Sequence, residues 1–340
     1  FLLGLLASCE KPPIEVEDKP DLKPANGYLY VLNEGNFQSG NATIDYLSFA
    51  DNSVNTNAFE NKNGRPLGDV LQSMNRLGDK GYLVVNNSAK IEVVNLPDLS
   101  SIATITGFKS PRYICFKDAD KAYVSEYYNG GIKVVNIQTN AIQSTIPITG
   151  NCEEMVLLDD KLYVTVTNKD LLYVINTTTD ELIDSVKLAY FPNSIQVDKN
   201  KTIWVLSAGS NSTSNFKNGA LQQIQPTDNS IMQSYPIQPR SEHGAIKLRI
   251  NNSGTRLFWI NKEIYSYTIS STPPSETPFI SIPNGALWAL NYDSLNNEIY
   301  VGNALDYNQR SVISHYDMDG ISKGEFKGGV ISTSFYFWYK

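Results

Sequence analysis

The chain has 340 residues, 41% of them hydrophobic, and sets 28 Lys and Arg against 35 Asp and Glu for a net charge of −7. That much apolar material, with 20 Tyr, 13 Phe and 4 Trp, excludes wholesale disorder. The negative balance argues against a nucleic-acid partner, because phosphate contacts need clustered Lys and Arg. Two His and three Cys leave little material for a metal or redox centre, and none is expected.

Residues 1–9 are apolar up to Ser8 and too short to span a bilayer, which needs about 20 residues. They resemble the back half of a signal-peptide apolar region. Leu6-Ala7-Ser8-Cys9 is similar to a bacterial lipobox, in which the Cys takes a lipid and becomes the mature N-terminus. Residues 10–26 are charged, aperiodic and carry Pro12, Pro13, Pro20 and Pro24, a composition suited to a semi-extended tether. The expectation is an exported protein, lipidated at Cys9.

From residue 27 onward a short β-like run recurs, as in Tyr28-Leu29-Tyr30-Val31, Lys121-Ala122-Tyr123-Val124 and Glu298-Ile299-Tyr300-Val301. Aligning Tyr30, Leu83, Tyr123, Tyr163, Trp204, Phe258 and Tyr300 gives steps of 53, 40, 40, 41, 54 and 42 residues. A clean copy holds four such runs: 111–116, 121–125, 131–137 and 141–146, separated by Asp, Asn and Gly turns. Four strands per repeat of about 40 residues is the pattern of a propeller blade. The first repeat starts at its second strand, while a spare strand, 329–337, follows the seventh. The sequence therefore predicts an all-β, seven-bladed β-propeller over 27–340, closed by a C-terminal strand that completes the first blade. Closure of this kind removes exposed sheet edges.

Cys115 and Cys152 fall on neighbouring inner strands, offset by three residues or roughly 10 Å along a strand. A disulfide needs Cα atoms within about 7 Å. Two thiols are expected.

In a propeller the first strand of each blade lines the channel, and the loops between second and third strands gather on one face with the turns before the inner strands. The long steps place extra chain partly in such loops, 33–41 and 208–219, with a smaller equivalent at 303–310. These loops carry Phe37, Tyr127, Tyr128, Phe216 and Tyr307, while Arg112, Tyr113, Glu153, Asn193, His243 and Trp288 stand at the starts of inner strands. Together they predict an aromatic and polar ring around the channel mouth, suited to a large ligand with an apolar body and polar edges. Alternation on an extended strand sets Glu153 toward the channel and Glu154 away from it.

No enzyme motif is present. His243 follows Ser241-Glu242 without a partner acid, and there is neither a Gly-x-Ser-x-Gly elbow nor a His-Glu-x-x-His site. His315 reads as part of an ordinary third strand, and Asp317-Met318-Asp319-Gly320 as a hairpin turn.

Leu32-Asn33-Glu34-Gly35-Asn36, Asn41-Ala42-Thr43-Ile44-Asp45-Tyr46, Arg112-Tyr113-Ile114-Cys115-Phe116-Lys117 and Glu153-Glu154-Met155-Val156 carry a family resemblance. The chain resembles YncE-like propellers and, more narrowly, the lipid-anchored surface propellers of Bacteroidetes, including the BtuG-like cobalamin-binding branch. Glu10-Lys11 after Cys9 is similar to the short charged export tags of that group. The resemblance implies an outer-membrane, surface-exposed lipoprotein. It implies capture of cobalamin or another corrinoid on the loop face, as a lid on a TonB-dependent transporter. A non-catalytic scaffold for a protein or surface glycan is the alternative from another class. An enzyme is the third, since lyases and lactonases occur on related propellers.

Overall fold

The computed structural model describes residues 27–270 and 272–339, so Cys9 and the tether over 10–26 lie outside the described residues. Seven antiparallel sheets form a ring around a central channel, six of them four-stranded and one three-stranded. The inner strands are Ser332–Tyr339, Leu71–Leu77, Pro111–Phe116, Cys152–Leu158, Pro192–Val197, Ile246–Ile250 and Leu287–Asp293, taken from blade one to blade seven. The fold is a seven-bladed β-propeller.

The recurring aromatic of the sequence, replaced by Leu83 in blade two, is the wedge between blades. Tyr30, Leu83, Tyr123, Tyr163, Trp204, Phe258 and Tyr300 sit on second strands and are at most 2% exposed. They are distributed over the apolar clusters that fill the spaces between adjacent blades. Three of the tyrosines also satisfy their buried hydroxyls on the next blade. Tyr30 Oη donates to the Pro97 carbonyl at 2.8 Å, Tyr123 Oη to Asp180 at 2.6 Å and Tyr163 Oη to the Pro226 carbonyl at 3.4 Å. A large ring supplies the packing area and its polar tip fixes the angle between blades.

Closure occurs as the sequence predicts, with a shifted boundary. Residues 332–339 pair antiparallel with Gly27–Asn33, and Phe335 and Trp338 are buried there. Residues 329 and 330 belong instead to the outer strand of blade seven, Ser322–Val330. Ile331, at φ 55°, turns the chain from one blade to the next. A positive φ on a branched residue is uncommon and invisible to a count of β-formers.

Blade six departs from the four-strand expectation. After its third strand, Glu263–Thr268, only an isolated bridge, Ile264 to Ile280, occupies the outer position among the described residues. Pro273, Pro274, Pro278 and Pro283 fill this stretch, and prolines cannot donate to a ladder. The long first step has a second cause besides the 33–41 loop. A short helix, Ala58–Asn63, lies between blades one and two and buries Phe59 in their shared core.

Every inner strand carries one more residue than its partner opposes. The register shifts fall between Leu71 and Ser73, Pro111 and Ile114, Cys152 and Met155, Pro192 and Ser194, Ile246 and Arg249, and Leu287 and Ala289. The seventh, in blade one, passes over Thr333. A bulge bends a strand and re-aims side chains, and seven at one level re-aim a ring of them. Carbonyls of these bulged strands are taken up by side chains of the preceding blade. Ser73 Oγ donates to the Arg112 carbonyl at 2.7 Å, Asn193 Nδ2 to Ala245 at 2.9 Å, Arg249 Nε to Leu290 at 3.1 Å and Asn291 Nδ2 to Phe335 at 2.8 Å.

Candidate functional site

The bulges build the mouth of the channel. Gln72, Arg112, Tyr113, Glu153, Glu154, Asn193, Lys247 and Trp288 all lie at or beside a bulge and line one cavity of about 410 Å³. The second-to-third-strand side adds Tyr127 and the segment Ala208-Gly209-Ser210; Tyr190, Phe191 and His243 come from the turns before inner strands.

Of the residues singled out from the sequence, Arg112, Tyr113, Tyr127, Glu153, Asn193, His243 and Trp288 converge on this cavity. Tyr307 does not line it, but its ring meets Trp288 edge-on at 6.1 Å, and Trp288 in turn meets His243 at 4.7 Å. Tyr128 packs edge-on against Tyr127 at 4.9 Å and is 70% exposed. Phe37 and Phe216, 65% and 52% exposed, stand on their loops away from the cavity wall.

The alternation argument for Glu153 and Glu154 is corrected by the bulge. Both carboxylates line the cavity, because the extra residue between Cys152 and Met155 breaks the two-residue period. Each is held by an arginine. Arg112 grips Glu153 with two bonds, Nε to Oε2 at 3.0 Å and Nη2 to Oε1 at 2.9 Å. It also donates to Gln72 Oε1 and lies over the Tyr127 ring at 5.2 Å. Burial acts to lower the Arg112 pKa, but the charge and hydrogen bond of Glu153, with Tyr113 and Glu34 behind them, together outweigh it, so the guanidinium is held more firmly protonated than usual. Burial pushes the Glu153 carboxyl up, against the pull of Arg112. Arg249 Nη1 binds Glu154 Oε1 at 3.0 Å, and Glu154 Oε2 accepts the Ile195 amide at 3.2 Å.

Two polar side chains of the expected ring are committed within the fold. The fork of Arg112 is committed to Glu153 and Gln72. The Asn193 amide donates to the Ala245 carbonyl and holds blade five to blade six. Tyr113 and Glu154 line both this cavity and a second one on the far side, and form the plug between the two halves of the channel.

Lys247 and Gln72 were missed in the sequence although a signal existed. Lys247 stands eleven residues ahead of Phe258, as Arg112 does of Tyr123 and Asn193 of Trp204. The same offset from Leu83 reaches Gln72. His243, expected at the start of the inner strand, lies on the turn before it and is paired with Glu242 at 3.3 Å.

Cys115 and Cys152 are free thiols in the cluster between blades three and four, and burial pushes both up to about 12. His315 lies on the third strand of blade seven, stacked on Tyr300 at 5.0 Å with Nδ1 2.8 Å from Glu298. Asp317 closes a hairpin by accepting the amides of Asp319 and Ile321.

Solved structures share this fold at low identity. A quinonprotein alcohol dehydrogenase-like protein of Bacteroides thetaiotaomicron superposes with a TM-score of 0.72 at 14% identity, over 92% of this chain and 78% of its own. A candidate 6-phosphogluconolactonase of Bacteroides uniformis gives 0.68 at 13%, over 92% and 100%. A Lactobacillus plantarum protein gives 0.67 at 13%, over 92% and 99%. At these identities the likeness is one of fold. No curated protein matches the chain. A family model, described as a domain of unknown function, matches residues 26–337, and the chain belongs to that family, DUF5074.

Proposed function

We propose that the propeller is a non-catalytic capture protein, anchored at the outer-membrane surface through Cys9, that binds a corrinoid across the channel mouth and delivers it to a TonB-dependent transporter. One observation carries the binding face. Three large aromatics, Phe37, Tyr128 and Phe216, are at least half exposed on loops of the same face that opens into an aromatic-walled cavity. Exposed rings of this size above a concave polar site mark recognition surfaces. A cavity of about 410 Å³ admits a side group, and a broad macrocycle would lie across the rim above it. The resemblance to the BtuG-like branch supplies the ligand class and the transporter.

Trp288 is the expected anchor, with Tyr307 and His243 against its ring and its indole Nε1 donating to Glu34 at 3.3 Å. Calorimetry with cobalamin and cobinamide should show saturable binding with quenching of tryptophan fluorescence. Trp288→Ala should weaken it by about 2 kcal/mol, roughly 30-fold. Absence of heat and quenching at high micromolar ligand would reject the corrinoid and leave a scaffold for a protein or glycan.

Anchoring has its own test. Cys9→Ala in the full precursor should move the protein from the membrane fraction to the soluble one. A variant that stays with membranes and still carries lipid would refute the anchor.

A further inference from the structure

Three cations stand in the channel, Arg112 and Lys247 on the mouth cavity and Arg249 on the cavity beyond the plug, and the two arginines are neutralised in place. Arg112 is paired with Glu153 at 2.9 Å and Arg249 with Glu154 at 3.0 Å. Lys247 forms no ion pair among the described residues; its ammonium donates to Thr333 Oγ1 of blade one at 3.2 Å. An ammonium has three protons to donate, and this one bond uses one.

The backbone is shaped to put that side chain there. Lys247 lies within the bulge of blade six at φ 61°, a conformation unfavourable for a residue with a Cβ. The charged groups that act on it are Arg249 on its own strand, Arg112 from blade three, Glu154 from blade four and Glu34 from the first loop. Glu153, Glu242 and His243 line the same cavity. Glu34, which has no arginine partner among the described residues, accepts the Trp288 indole instead. Burial first, and then Arg249, lower the Lys247 pKa to about 8. A partly buried cation beside two others gains most from an added negative charge.

We propose that Lys247 is the anchor point for an oxyanion, a carboxylate or a phosphate group, carried by the ligand of the channel mouth. This rests on the reading of that mouth as the binding site, and it names the chemistry the ligand must present there. An aromatic or macrocyclic body would stack toward Trp288 while its anionic arm reaches down to Lys247 and Thr333.

Inorganic phosphate and benzoate, tested separately, distinguish a tetrahedral from a planar oxyanion and involve no corrinoid. With 13C-labelled lysine, the Lys247 side-chain resonance is identified by its loss in Lys247→Met. At pH 7 that resonance should shift saturably with at least one of the two anions, and the shifts of exposed Lys187 and Lys201 should stay small. Affinity should fall about tenfold or more in Lys247→Met, recover in part in Lys247→Arg, and rise in Glu34→Gln. It should also decline above pH 8, where the ammonium loses its proton. Lys247→Met should fold, since it removes a desolvated charge, and Lys247→Arg, which keeps the charge and also lacks the lysine resonance, identifies it independently. Shifts no larger than those of the exposed lysines with both anions, or unchanged affinity in Lys247→Met, would overturn the proposal. Failure of cobalamin binding with a positive anion titration would reject the corrinoid and sustain the anchor.

Discussion

Removing residues 332–340 should abolish the native fold. The deletion strips Phe335, 1% exposed, from the seam between the first and last blades, and Trp338, 4% exposed, from the core shared by blades one and two. It also removes the whole antiparallel partner of Gly27–Asn33. Each buried aromatic is worth about 3–5 kcal/mol when truncated to alanine, and a domain is typically stable by only about 5–15 kcal/mol. The two side chains alone, about 6–10 kcal/mol, are therefore of the size of the whole stability, before the lost ladder is counted. The opened strand would also present unpaired backbone to other molecules. Size-exclusion chromatography and thermal melting of the truncated chain should show aggregation or no cooperative transition. A monomeric product with an unchanged melting temperature would mean that the ring is closed by something else.

The second large effect is expected at the plug of the channel. Arg249→Met leaves Glu154 as a carboxylate, about 10% exposed, with its charge partner gone. Breaking such a pair from one side costs about 3–5 kcal/mol, whereas an exposed pair contributes about 1 kcal/mol or less. The double variant Arg249→Met, Glu154→Gln removes the stranded charge and should regain most of the loss. Denaturant unfolding of the single and double variants measures both quantities. A single variant within about 1 kcal/mol of wild type would show that water reaches the pair freely.

What the sequence could and could not reveal follows from how local each signal is. The wedge aromatics are legible because each lies in its own short β run and repeats at nearly constant spacing, so Tyr123 and Tyr163 mark blades without any knowledge of partners. The closing strand is legible because seven second strands need seven inner ones. Its boundary is not, because Ile331 turns the chain with a backbone angle that its side chain does not advertise. Blade six loses its outer strand to four prolines, a local cue outvoted by the repeat. The mouth is harder still. Two-residue alternation fails at every inner strand, since each carries a bulge, and so Glu154 was turned the wrong way. Lys247 shares the register of Arg112 and Asn193, whereas His243, four residues earlier, lies on the turn before the strand. The pairing that occupies Arg112 and leaves Lys247 without a carboxylate joins residues 41 to 95 positions apart, and only the closed ring brings them together.

The central claim is that the loop face around the bulged mouth is the working surface. Hydrogen exchange followed by mass spectrometry, with and without saturating cobalamin, tests it across the whole chain at once. The account predicts slowed exchange in residues 33–42, 208–219 and 303–310 and at the bulged starts of the inner strands. It predicts no change at the opposite turns, such as 118–120 and 159–160. Saturated binding with protection confined to those opposite turns, or to the outer blade edges, would contradict it.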